Sequence, residues 1–381
     1  MTKTRYIPQH VRCMLWGRAA ARCEICNTPV SCHPQTKQDV NLGEAAHIIG
    51  FSEDGPRGET ELSEELARDV SNLMLLCRPC HKAVDTRKAD YRVERLRSLK
   101  SAHEERVGQV TGIGQDRESQ ILLYGANVGD HSSLVSYRTT APALIAEERY
   151  PASTTPLTLG MVNSSFRDGS SDFWNIEARH LRRMVQEQVY PRLRNGDVDH
   201  LAVFALAPQP LLTLLGYLLC DVNYEARVYQ LHREPPGWAW QDHPDGFEYI
   251  IEEPTNEEGE PALVLALSAT VADERVVAAL GRDAAIWRVT IAEPHNDFLK
   301  SPQQLRQFRE LIRPLLDRIK ARIGQGAVLH VFPAAPVAVA MELGRVLQPK
   351  ADVPLRVYDQ NNSLGGFVPA LDVNTPATGA P

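Results

Sequence analysis

Two Cys-x-x-Cys pairs, Cys23/Cys26 in "RCEIC" and Cys77/Cys80 in "CRPC", are the residues whose type and spacing imply chemistry most directly. Four thiolates complete a tetrahedral Zn2+ shell and leave no coordination position open, so such a site is structural rather than catalytic. The second pair runs into His81, and "CRPCH" also spells a c-type haem attachment sequence. Haem attachment needs export, yet "MTKTRYIPQHVRCMLWGRAAARC" contains no apolar signal segment. A matching pair upstream favours one shared metal over haem or disulfide exchange. Six of the seven cysteines, all but Cys220, fall in the first 80 residues. Clustered cysteines without an export signal point to a reducing, cytoplasmic compartment and to metal binding.

Two histidines and an asparagine lie inside this cysteine frame. "EAAHIIGFSEDGPRGE" ends a short apolar run on His47 and continues into a Gly/Pro-rich loop. "DVSNLMLLC" places Asn72 ahead of a second apolar run, which ends in the cysteine turn. "CRPCHKAVD" puts His81 at a helix start, with Asp85 one turn on and on the same face. An imidazole can take a proton from water near neutral pH. A divalent ion can stabilise the charge that builds on a phosphate under attack. Arg57 in "GPRGE" reads either as a phosphate contact or as a solvated loop residue.

The AHI, NLMLLC and CxxCH segments, in that order, make residues 20–86 resemble the HNH endonuclease family. The resemblance implies an α+β, ββα-metal hairpin-helix domain with His47 as general base. It implies that Asn72 holds the hairpin loop and the base, or ligates the metal. His81 with Asp85 would hold a catalytic Mg2+ or similar ion, and Cys23, Cys26, Cys77 and Cys80 a structural Zn2+. Many members carry Asp or His just before the base histidine. Here that position is Ala46, and Glu44 is expected to replace it only if the strand bulges.

Hydrophobic content of 43% and charged content of 23% are ordinary for a globular chain, and no long apolar run suggests a membrane span. Net charge is −7, unevenly spread: residues 1–110 carry 17 Lys/Arg against 15 Asp/Glu, leaving the remainder at −9. An acidic chain does not coat nucleic acid by bulk electrostatics, but a small, mildly basic domain can touch DNA locally. Residues 1–110 thus form one domain, ending in a helix with Val93, Leu96, Leu99 and Val107 on one face. The Gly/Ser/Thr-rich residues 111–154 read as a linker with one short strand.

From residue 155 strands and helices alternate: "TLGMVN", "HLAVFALAP", "ARVYQLHR", "ALVLALSAT", "AIWRVTI", "AVLHVFPAAP" and "LRVYD" as strands, with apolar-faced helices between. That rhythm implies a parallel-sheet α/β domain over 155–381. "LAVFALAPQPLLTLLG" and "AVLHVFPAAPVAVAMELG" share one layout of strand, Ala-Pro turn, helix and Leu-Gly. A duplicated unit follows, with halves near 155–255 and 256–370 and a ligand cleft between them. Pro208, Gln209 and Pro210 start a helix; Phe166, Arg167, Trp174, Arg233, Trp240, Phe332, Pro333 and Tyr358 gather near strand ends. Stacking faces with a few cations suit a ligand carrying bases and phosphates.

With the nuclease module, these segments and "VYQLHREPPGWAW" resemble the SAVED domain, a fusion of two CARF-like (Rossmann-like) halves. The resemblance as a whole is to the HNH–SAVED effectors of bacterial cyclic-oligonucleotide anti-phage (CBASS) systems. It implies a cyclic dinucleotide ligand, ligand-induced homo-oligomerisation, and degradation of double-stranded DNA. Two other readings share the motifs: a ligand-regulated zinc-ribbon DNA-binding regulator, and an HNH restriction endonuclease for modified DNA.

Overall fold

The computed structural model describes residues 6–129, 135–161, 166–170, 172–196, 198–220, 224–255, 258–361 and 365–375. It divides into two compact units, Met1–Gly114 and Gln115–Pro381. The first unit holds helix α1 (Gln9–Arg18), strand β1 (Gly43–His47), a single turn α2 (Leu62–Glu65), strand β2 (Leu73–Cys77) and helices α3 (Arg78–Thr86) and α4 (Val93–Thr111). Strands β1 and β2 pair antiparallel, from Gly43↔Cys77 to His47↔Leu73, without a break in register. Leu73, Met74, Leu75 and Leu76 are all buried, so β2 is covered on both faces and forms the spine of the small core. The cysteine turns close that core at one end.

The second unit opens with β3 (Glu118–Gly125), α5 (Tyr137–Ala146) and the short strands β4 (Tyr150–Pro151) and β5 (Leu157–Thr158). Helices α6 (Phe173–Met184) and α7 (Tyr190–Arg194) follow, joined by a π-helical turn just ahead of Pro191, a residue with no N–H to give the ladder. Strand β6 (His200–Leu206), helix α8 (Gln209–Leu218) and strand β7 (Glu225–Val228) complete a first sheet ordered β4-β3-β6-β7. Next come β8 (Ile250–Glu252), β9 (Glu260–Ala266), α9 (Asp273–Leu280), β10 (Ala284–Thr290), α10 (Pro302–Ile323), β11 (Leu329–Ala334), α11 (Val337–Arg345), β12 (Leu355–Asn361) and β13 (Gly366–Val373). They build a second sheet ordered β13-β12-β11-β9-β10-β8.

Local chemistry explains the elements. Helix α10 starts at a capping box, with Ser301 accepting from the Gln304 N–H and Gln304 returning its side-chain oxygen to the Ser301 N–H. Its buried Leu305, Phe308, Ile312, Leu315 and Ile319 follow the helical repeat, and it stops at Gly324. Strand β13 escaped the sequence reading because Pro369 interrupts its pattern. Proline is tolerated there because β13 is an edge strand, and the register shifts beside it, at Val357/Tyr358.

The duplication is visible strand by strand. The parallel trio β3-β6-β7 matches β9-β11-β12. Phe204 stacks on Tyr229 at 4.3 Å with Trp238 edge-on; Phe332 stacks on Tyr358 at 4.3 Å with Phe367 edge-on. Residues 118–125, read as linker, are therefore the first strand of the first half, equivalent to β9. Its apolar run, "ILLY", is short and flanked by polar and glycine residues, which masked it. The first half thus begins near residue 115 and not at 155. Of "TLGMVN" only Thr158 is strand, the end of β5, and its last two residues lie outside the described residues.

Candidate functional site

The cysteine site is built by two turns. Cys23 and Cys26 lie in a tight loop closed by the Asn27 N–H on the Cys23 carbonyl, with Asn27 in the left-handed region at φ 59°. Cys77 caps α3 and Cys80 sits in its first turn, where Pro79 leaves no wasted donor. One Sγ from each of the four lies within 4.8 Å of the others, and Cys26 and Cys77 approach to 3.6 Å. Donor type and spacing fit a tetrahedral zinc shell. Burial opposes ionisation of Cys26, but hydrogen bonds from Thr28 and the neighbouring cysteines outweigh it and bring the thiol to about 7. Glu24 ties the turn to β2: its N–H reaches the Leu75 carbonyl and its carboxylate accepts from the Leu75 N–H, both at 2.9 Å.

Beside that knuckle, Glu44, His47, Arg57, His81 and Asp85 line one cleft of about 360 Å³. His47 ends β1, and its Nε2 lies 3.0 Å from the Ala67 carbonyl. A carbonyl only accepts, so Nε2 carries the proton and Nδ1 is the basic nitrogen of the ring. Phe51 packs edge-on against the imidazole at 5.6 Å. Asn72 is 3% exposed, and its side chain accepts from the Ile49 N–H at 2.8 Å and donates to the Ile49 and Leu66 carbonyls. It fastens the loop that leaves His47, and its amide is committed to backbone.

His81 stands between two carboxylates, with Nδ1 2.8 Å from Glu44 and Nε2 3.5 Å from Asp85. Glu44 reaches it from a regularly paired strand, so no bulge is needed where Ala46 stands; Ala46 itself is buried in the core. One imidazole and two carboxylates are suitable donors for a hard divalent ion. Their spacing is looser than that of the thiolates, which alone among the described residues gather three or more such ligand atoms within 4.8 Å. Glu44 and Asp85 are 41% and 44% exposed at the side chain, and each is paired with His81. Arg57 is not a solvated loop residue: its side chain is 6% exposed and engaged by backbone.

In the second unit, α8 and α11 cross at their glycines. A Cβ on Gly216 would lie 1.9 Å from the Met341 carbonyl, and one on Gly344 would lie 2.0 Å from the Thr213 carbonyl. The contact is reciprocal, as a two-fold relation requires. Both helices start after a proline, Pro208 and Pro336, and each is linked to the opposite half. Gln209 accepts from the Ala335 N–H and Gln230 from the Ala338 N–H, both at 3.2 Å. Two helix N-termini thereby meet at the strand carboxyl ends.

Of the residues expected to line a ligand cleft, Pro208, Gln209 and Pro210 lie at that junction, with the prolines buried. Phe166 and Arg167 are exposed on a loop beside Asn127 and Gly129. Arg233 is exposed, its N–H on Asp297. Trp240 is half-buried against Tyr229 and lines a separate cavity with Arg227, Arg306, Arg309 and Arg345. Trp174, Phe332, Pro333 and Tyr358 are buried, and Trp174 also borders a cavity with Arg356. The rings of Phe332 and Tyr358 are spent on each other, and Tyr358 on His330 at 2.9 Å, which explains their place near strand ends. Glu44 was seen in the sequence only as a conditional substitute, and Gln230 carried no signal at all.

A hairpin and helix closed by four cysteines, with His47 and His81 in one cleft, followed along the chain by a duplicated α/β unit, is the arrangement of a sensor-plus-nuclease protein. The chain belongs to the SAVED family, the "SMODS-associated and fused to various effectors sensor domain", whose family model matches residues 181–373, just over half its length. It carries an HNH endonuclease domain, matched over residues 23–88. Among solved structures it is similar to the Acinetobacter baumannii Cap4 SAVED/CARF-domain containing receptor with the cyclic trinucleotide 2'3'3'-cAAA, at 14% identity and TM-score 0.44, over 83% of this chain and 67% of that one. A second structure of the Acinetobacter baumannii receptor is similar at 16% identity and TM-score 0.42, over 83% of this chain and 66% of that one. The Moraxella osloensis Cap4 receptor is similar at 14% identity and TM-score 0.39, over 83% of this chain and 70% of that one. No curated protein matches the chain. Among the described residues, no helix is long and apolar enough to cross a membrane.

Proposed function

We propose that the chain is a divalent-metal-dependent endonuclease of double-stranded DNA, switched on in anti-phage defence when a cyclic dinucleotide of the GMP–AMP type binds its SAVED unit and drives self-association. The observation that supports this most is the meeting of His47, Glu44, His81 and Asp85 in one cleft, on a chain that also carries a sensor. Nδ1 of His47 takes the proton of the attacking water, while Ala67 and Phe51 hold the ring. Asn72 keeps the loop beyond His47 in register with β2. Nε2 of His81 and Asp85 would hold the ion, with Glu44 orienting the ring through Nδ1. When bound, a Mg2+-like ion stabilises the pentacovalent phosphate and the departing 3′ oxygen. The cysteines hold structural zinc and so fix where α3 starts.

In the sensor, the paired N-termini of α8 and α11 turn the partial positive charge of their helix dipoles toward the phosphates of the ligand. A ligand that binds only the assembled state shifts the population toward it. Purified protein is incubated with plasmid, Mg2+ and a panel of cyclic di- and trinucleotides. The expected result is degradation only when metal and one cyclic nucleotide are present together. Cleavage without any cyclic nucleotide would instead mark a restriction-type enzyme. DNA binding with no cleavage under any condition would mark a transcriptional regulator.

A further inference from the structure

We infer that Arg57 is a positioning residue of the nuclease site, setting the Asp85 carboxylate and the backbone of His47 together; this rests on the metal-dependent reading above. The guanidinium is buried and touches both elements that carry site residues. Its Nε donates to the Ile48 carbonyl at 2.8 Å, one terminal nitrogen to the Val84 carbonyl at 3.0 Å, and the other to the His47 carbonyl at 3.1 Å. That last nitrogen also lies 3.4 Å from Oδ1 of Asp85. Oδ2 of the same carboxylate faces Nε2 of His81. Arg57 thus occupies one oxygen of Asp85 and leaves the other turned to the imidazole that would hold the ion.

Three features make the arrangement specific to arginine at this position. A planar fork can serve several acceptors in fixed directions, which an ammonium cannot. Helix α3 ends at Thr86, so the Val84 carbonyl lies in its last turn, where the helical ladder no longer supplies a donor and a cation is favoured. Arg57 also sits at φ 59°, a left-handed conformation disfavoured for a residue with a Cβ, which the fork's contacts hold in place. The preceding loop is compact, since a Cβ on Gly58 would lie 2.3 Å from the Ser52 and Glu53 carbonyls. Arg57 is therefore delivered to one place.

The test compares wild type, Arg57→Lys, Arg57→Gln, Asp85→Ala and the Arg57/Asp85 double variants in the full-length protein. Mn2+ binding is read by electron paramagnetic resonance, with DNA absent; bound zinc and thermal unfolding report whether each variant is folded. Comparison is made on whichever Arg57 variant keeps its zinc. Loss of an outer partner of a metal ligand typically costs about ten- to a hundredfold in affinity, and that weakening is expected for Arg57→Lys or Arg57→Gln. No further weakening is expected when Asp85 is already alanine. An Arg57 variant that melts earlier yet binds Mn2+ as wild type does makes the residue merely structural and overturns the inference alone. Wild type that binds no Mn2+ overturns the metal site itself, and the role of Arg57 with it.

Discussion

His47 and Asn72 sit a few residues from one another in the fold but have opposite expected signatures on substitution. His47→Ala removes the proposed proton acceptor from the cleft and leaves the core untouched. Cleavage of plasmid is expected to fall by about 10²- to 10⁴-fold, with zinc content and melting temperature unchanged. Asn72→Ala strips partners from the buried Ile49 N–H and carbonyl, at about 1–3 kcal/mol for each group left unpaired. Urea unfolding is expected to show that loss, with Asn72→Asp intermediate because it keeps the acceptor for Ile49. The residue types of this site were legible because metal and base chemistry restrict them to a few side chains at fixed spacing. Arg57 was not legible. Its partners are carbonyls, which every residue has, so nothing in the sequence marks them.

Among elements, the α8–α11 crossing holds the two halves of the sensor together, and it depends on having no side chain at Gly216 or Gly344. Either Gly→Ala change forces the helix backbones apart, and a destabilisation of about 1–3 kcal/mol or more is expected in denaturant unfolding. The shared Leu-Gly at the end of both echo segments was the sequence trace of that contact. The trace showed duplication, though not that the glycines meet. The strand bases carry a second, pH-dependent element. His200 is buried against Ser119 at 2.8 Å; burial, then the charges of Arg149, Arg227 and Arg117, hold its pKa down at about 3. A histidine depressed in the fold stabilises it fully above the unfolded value of about 6.5 and loses that contribution as pH falls toward 3. Thermal melts of wild type are therefore expected to drop steeply between pH 6.5 and 4, and those of His200→Gln less so. The strand ahead of that site, β3, hid in a stretch read as linker because "ILLY" is too short to assert a period.

At the scale of the whole chain, the division at Gly114/Gln115 separates two cores with different sources of stability. The first is small: one two-stranded hairpin, a few helices, and a cluster of apolar residues closed at one end by the four thiolates. A core of that size is expected to rely on the zinc proposed for its cysteines, since zinc binding free energy is folding free energy where the site forms only in the folded state. The second unit buries most of two sheets and four or more long helices around one large cluster, with no metal cluster among its described residues. A strong zinc chelator is thus expected to remove protection from amides of β1, β2 and α3 in hydrogen exchange while those of β6, β9 and β11 stay protected. A cyclic nucleotide bound by the SAVED unit acts in the other direction. At a hundred times its Kd a ligand that binds only the folded state adds about 2.7 kcal/mol, and the gain should appear in the second unit's strands even after the first has been stripped of zinc. Loss of protection in both units on chelation would mean that the chain folds as one cooperative body, and the boundary read from packing would then have no thermodynamic meaning.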